Sequence, residues 1–150
     1  MTEAPAAAAQ PPTHYTLTVT AEQLALMRDA TEVCARFLIG QTDSVTLTFL
    51  AGLPTDEFCE LRDRLAELGP LVTGERPNYF KARSPELARV KDGLFLLHQV
   101  VRQPLYLDRC AAEGTDPGWA VSRYDPHPVP GWEMPQIYAG KVEGEPWTKL

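Results

Sequence analysis

"VTLTFL" (45–50) decides the architecture of this chain. Val45, Thr46 and Thr48 are β-branched and Phe49 is aromatic, and such residues suit a pleated, half-buried surface. The segment therefore reads as a strand, with a helix extending into it from upstream as the alternative. "YTLTVT" (15–20) alternates in the same manner and reads as a short strand as well.

Outward from these two segments the pattern turns helical. Thr20-Ala-Glu-Gln23 has the spacing of a capping box, in which the Thr and Gln side chains satisfy amides of the first turn. A helix is expected from there through Ile39, with Leu24, Met27, Thr31, Cys34 and Leu38 as its apolar stripe and Gly40 ending it. Thr55 is placed to cap a second helix, with Asp56 and Glu57 in its electropositive first turn. Phe58, Leu61, Leu65 and Leu68 form its stripe, and Gly69-Pro70 stops it. "VTGERPNYFKAR" (72–83) reads as a loop rich in turn formers and positive charge.

Ser84-Pro85-Glu86 is the strongest start signal: a cap, a proline at the first helical position, then an acid. The helix it opens is expected to run to about Val101, and a kinked continuation past Pro104 is the alternative. Six of the fourteen prolines fall in 114–150, together with Trp119, Trp132, Trp147, Tyr124 and Tyr138. Disordered tails are poor in aromatic residues, so 119–138 is expected to pack as an extended segment. The expected class is α+β: short N-terminal antiparallel strands packed on two or three helices, followed by an extended Pro/aromatic-rich C-terminal tail. A flexible arm (1–14), a single domain with its packed tail (15–138) and a loose end (139–150) complete the plan.

The totals exclude several functions. A net charge of −6 is unlike the basic surface of a general nucleic-acid binder. No run approaches the roughly 20 apolar residues of a membrane span. The N-terminal "MTEAPAAAAQPPT" lacks the basic start of a signal peptide, and a cytoplasmic protein is expected. Cys34, Cys59 and Cys110 form no C-x-x-C pair, so they read as buried thiols, and neither they nor His14, His98 and His127 have the spacing of a metal site. No cofactor is expected.

The residues that raise a functional question lie in "LLHQVVRQPLYLDRC" (96–110). At about 100° per residue, Leu94, Leu96, Leu97, Val100, Val101, Leu105 and Leu107 cover roughly half of the helix circumference. An arc that wide suits contact with two layers, such as the rest of the domain and a second subunit. His98, Arg102 and Arg109 fall on one border of it, within about 40° of one another, with Phe95 and Tyr106 alongside. Guanidinium groups hold phosphate oxygens through charge-assisted bonds, and rings stack on a base or ribose. The strip therefore suits a planar phosphorylated ligand. The alternative is structural: arginines paired with acids such as Asp108 or with a neighbouring subunit, and His98 as an interface histidine. "RYDPHP" (123–128) brings Asp125 and His127 together with no identifiable nucleophile, and reads as a turn or part of a ligand lid.

The segments "CARFLIGQ" (34–41), "LLHQVVRQPLYLDR" (96–109) and "VSRYDPHPVPGWEMPQI" (121–137) together resemble a group of small phage proteins, the first type of Thoeris anti-defence protein. Arg36 and Gln41 match the first motif of that group, His98, Gln99 and Arg102 the second, and Arg123 and Asp125 the tail. "CARF" departs from the pattern in lacking an aromatic residue before the arginine, and "TDSVTLTFL" stands where the group is expected to continue a helix. The resemblance implies a sponge that binds cyclic ADP-ribose isomers, and other cyclic nucleotide-type signals, without cleaving them, and so is not an enzyme. It further implies a homo-oligomer, a hexamer, with pockets between subunits in the cytoplasm of an infected bacterial host; from charge and hydropathy, no DNA or membrane partner is expected. The ligand set expected from pattern and resemblance is Phe95, His98, Arg102, Tyr106 and Arg109, with Arg123 and Tyr124 from the tail. The competing expectation is a protein-binding inhibitor or structural phage protein acting through its aromatic tail.

Overall fold

The computed structural model describes residues 17–74, 81–118, 127–139 and 148–149. Among them five helices follow one another: α1 (Ala21–Phe37), α2 (Ser44–Phe49), α3 (Thr55–Ala66), α4 (Gly69–Thr73) and α5 (Pro85–Glu113). The only strands among the described residues are β1 (Tyr138–Ala139) and β2 (Thr148–Lys149), an antiparallel pair with Tyr138 opposite Lys149. The α+β expectation is thereby overturned. The second expected strand is a helix, the first forms no strand among the described residues, and the described fold is helical.

The correction is physical at each segment. Leu17–Val19 form a short non-helical lead into the Thr20 cap and pair with no strand among the described residues, while Tyr15 and Thr16 lie outside them. Residues 45–50 are α2 and its C-cap. Thr46 donates from its hydroxyl to the Asp43 carbonyl at 2.6 Å, and Thr42 donates to the Leu65 carbonyl. Thr42, Ser44 and Thr46 are buried, while Leu47 and Phe49 are exposed. A strand needs a neighbouring ladder to satisfy its backbone. Here the threonine hydroxyls and the i→i−4 backbone bonds serve that purpose, and β propensity gives way to tertiary context.

Two local signals act as their chemistry requires. The Thr20–Gln23 capping box is complete: the Thr20 amide donates to Gln23 Oε1 at 2.9 Å, and the Gln23 amide donates to Thr20 Oγ1 at 3.2 Å. Ser84 accepts from the Leu87 amide at 3.3 Å, with Pro85 in the first turn of α5. By contrast, α3 starts at Thr55 itself, with Pro54 as its N-cap and no side-chain cap bond. Gly69-Pro70, expected as a stop, opens the short α4.

The stripe expected on α1 is displaced. Met27 and Cys34 are exposed, and Ala35 is the residue fully enclosed. Cys34 is therefore not a buried thiol; Cys59 is half-buried and Cys110 buried.

The long helix α5 organises the molecule, and α1 is its main packing partner. It runs unbroken through Pro104, past the expected end near Val101, and closes at Gly114, whose φ of 63° is left-handed. Leu96, Val100, Val101, Pro104 and Cys110 are buried along it. That burial holds a proline in a helix interior, which by itself costs about 3 kcal/mol.

The described residues 127–132 fold back along α5. Tyr106 donates its hydroxyl to the Pro117 carbonyl at 3.1 Å, and the His127 amide donates to Gln99 Oε1 at 2.9 Å. Trp132 Nε1 then donates to the Arg89 carbonyl at 3.0 Å. These anchors step from residue 106 to 99 to 89 as the chain goes from Pro117 to His127 to Trp132, antiparallel to the helix.

Candidate functional site

Three helices line an open cleft of about 480 Å³, a volume within the range of small-molecule sites. One wall comes from α5: His98, Arg102, Leu105, Tyr106 and Arg109. Their 3.6-residue periodicity sets them on one face, which is why a helix of unremarkable apolar content carries a cationic strip. The opposing wall is Arg28, Asp29 and Glu32 from α1, and α2 adds Thr48. The corrected reading of 45–50 thus matters to the site, because helix α2 is what delivers Thr48 to it.

His98 is the most enclosed polar group of the cleft, with 7% of its surface exposed. Its Nδ1 lies 3.1 Å from the Arg28 carbonyl oxygen. A carbonyl only accepts, so Nδ1 carries the proton in this bond, and Nε2 is the nitrogen left for another partner. Glu32 Oε2 stands 4.0 Å from the same Nδ1, too far for a hydrogen bond.

The α1 wall is internally neutralised. Arg28 bonds Asp29 Oδ1 at 2.7 Å through Nε. The pKa of the Arg28 guanidinium is raised above its ordinary value, first by this hydrogen bond and then by the charges of Asp29 and Glu32, against the opposing effect of burial. Arg36, one turn further along α1, holds Glu32 Oε1 at 2.9 Å through Nε and 2.7 Å through Nη2. Arg36 also donates from Nη1 to Gln41 Oε1 at 2.8 Å. The α5 wall carries Arg102 and Arg109. The Arg109 guanidinium sits 5.5 Å from the centre of the Tyr106 ring, a cation–π arrangement that orients both groups at the cleft edge.

Of the ligand residues expected from sequence, His98, Arg102, Tyr106 and Arg109 come together in this cleft. Phe95 is half-buried elsewhere on α5 and does not line it. Arg123 and Tyr124 lie outside the described residues, as does Asp125. Arg36 and Gln41 bind each other behind the α1 wall, and Gln99 holds the tail at His127. Sequence reasoning missed Arg28, Asp29, Glu32 and Thr48. The i, i+4 spacing of Arg28 and Glu32 was a usable signal for one face of α1, but nothing local says that this face meets α5. Among the described residues no cluster of three or more His, Cys, Asp or Glu could hold a metal ion, and no helix is long and apolar enough to cross a membrane.

Comparison with protein-family models, with curated proteins and with solved structures finds no match to this chain.

Proposed function

We propose that this protein is a sponge: it binds a phosphorylated, cyclic nucleotide-type signal in the α1–α5 cleft and holds it without cleaving it. The observation that carries the reading is the convergence of Arg102, Arg109, His98 and Tyr106 on one wall of a cleft of about 480 Å³. Guanidinium groups recognise phosphate through forked, charge-assisted hydrogen bonds. The Tyr106 ring offers a face for a base or ribose, and Leu105 adds apolar contact beside it. Counting formal charges among the described lining residues, three arginines against Asp29 and Glu32 leave +1 in a chain of net −6. That local balance supports an anionic ligand.

The same proposal takes the cyclic ADP-ribose isomers as the first ligands to try, with cyclic oligonucleotides next. The working assembly is a homo-oligomer, a hexamer, acting in the cytoplasm of an infected bacterial host to block a defence signal. Leu26, Met27, Phe37, Leu47 and Phe49 of α1 and α2 are exposed, apolar surface that such an assembly would cover.

Native mass spectrometry of the full chain, with and without cyclic ADP-ribose isomers and cyclic dinucleotides, tests the proposal. The expected result is an oligomer that gains the mass of one intact ligand per cleft. Ligand released by denaturation should be chemically unchanged. No mass gain under conditions where a control binder is loaded would sink the reading, and a hydrolysed ligand would replace the sponge with an enzyme.

A further inference from the structure

We infer that the α1 wall of the cleft recognises sugar hydroxyls, so that the ligand class is a ribose phosphate with its hydroxyls free, not a bare phosphate or a deoxy sugar. The inference rests on the cleft being the binding site proposed above, and adds what its second wall selects.

Asp29 and Glu32 are three residues apart on α1, so both face the cleft about one turn from each other. Each is bound by an arginine at one oxygen only. Arg28 directs Nε and Nη2 to Oδ1 of Asp29, both at 2.7 Å. Arg36 directs the same two groups to Oε1 of Glu32. Oδ2 of Asp29 and Oε2 of Glu32 accept no hydrogen bond among the described residues, and the Nδ1 proton of His98, 4.0 Å from Oε2, is directed to the Arg28 carbonyl. The wall therefore presents two acceptors whose charges Arg28 and, from behind, Arg36 offset.

That combination selects among occupants. A phosphate oxygen cannot donate to a carboxylate and is repelled by it, so the phosphates belong against Arg102 and Arg109 on α5. A ligand cation gains little, because Arg28 and Arg36 already offset both acids. A neutral donor is what remains, and hydroxyls on a ribose fit two acceptors set side by side. An anion on one wall and hydroxyls on the other define a sugar phosphate lying across the cleft, with the Tyr106 ring at its edge.

Isothermal titration of the full chain with cyclic ADP-ribose and with its 2′- and 3′-deoxy analogues tests this, alongside inorganic pyrophosphate. The expected result is binding of cyclic ADP-ribose with at least one deoxy analogue weaker by about tenfold or more, the effect of losing a hydrogen bond to a charged acceptor. Asp29→Ala or Glu32→Ala should reduce that preference while retaining affinity for the deoxy form. Equal binding of the ribose and both deoxy forms to the unaltered protein overturns the inference and leaves the phosphate site standing. Preference unchanged in both variants overturns the assignment to α1. Absence of binding by every probe overturns the inference together with the proposed function. The comparison of ligands on the unaltered chain decides the matter even if a variant fails to fold.

Discussion

The Trp132 indole occupies the space that a side chain at Gly93 would need: a Cβ there would lie 2.6 Å from the ring. Gly93 sits inside α5, where glycine is about 1 kcal/mol less favourable than alanine. The ring is held in place by its bond to the Arg89 carbonyl and by the Arg89 guanidinium 4.5 Å from its centre. Gly93→Ala should therefore destabilise the protein by about 1–3 kcal/mol despite the better helix former. Thermal denaturation combined with Trp fluorescence checks this. A raised melting temperature with unchanged fluorescence would show that the ring is not seated on α5.

Under the proposed function, Arg102→Ala and Arg109→Ala should each weaken ligand binding by about tenfold or more and leave the native mass of the proposed assembly unchanged. Both side chains line the cleft, and Arg109 also lies over Tyr106. Binding isotherms and native mass spectra of the two variants give the answer, and normal affinity in both would remove the cationic wall from the site.

Thr46→Val separates the helical from the extended reading of 45–50. Valine keeps the β-branched shape but loses the hydroxyl bond to the Asp43 carbonyl, in a side chain with no exposed surface. In α2 this should cost about 1 kcal/mol. In a strand the same change would be neutral or stabilising. Urea denaturation reads the sign.

Thiol chemistry should follow burial. Cys34 is exposed on α1 and Cys110 is enclosed on α5 with 5% of its surface exposed. A maleimide probe followed by peptide mass mapping should modify Cys34 first and Cys110 only after denaturant is added. Equal rates in the native protein would contradict the packing of α5.

Glu86 gives a pH dependence of known sign. Its carboxylate lies in the first turn of α5, and its pKa is lowered from 4.5, first by the Ser84 side chain and then by a backbone bond. A carboxylate with a depressed folded-state value stabilises the fold above its unfolded value and loses that contribution as pH falls through the folded one. The stability difference between the native chain and Glu86→Gln should therefore be present at neutral pH and vanish in acid below 4.5. A difference that grows on acidification would reverse the assignment.

Local chemistry was legible where neighbours along the chain supply it. The Thr20–Gln23 box and the Ser84-Pro85 start act within four residues, so they needed no knowledge of the fold. The alignment of His98, Arg102, Tyr106 and Arg109 was legible for the same reason, since helical phase alone sets four side chains on one face. Tertiary structure decided what lies across from them. Whether 45–50 pairs as a strand or coils as a helix depends on distant acceptors such as the Leu65 carbonyl that receives Thr42. Arg28, Asp29 and Glu32 look on their own like ordinary solvated residues of α1. They become a wall only because α1 packs on α5. Gly93 likewise reads as a weak point in a helix until Trp132, remote in sequence, lies against it. Capping and helical phase are governed by bonds between near neighbours, whereas a cleft exists only through the packing of segments that no local interaction brings together.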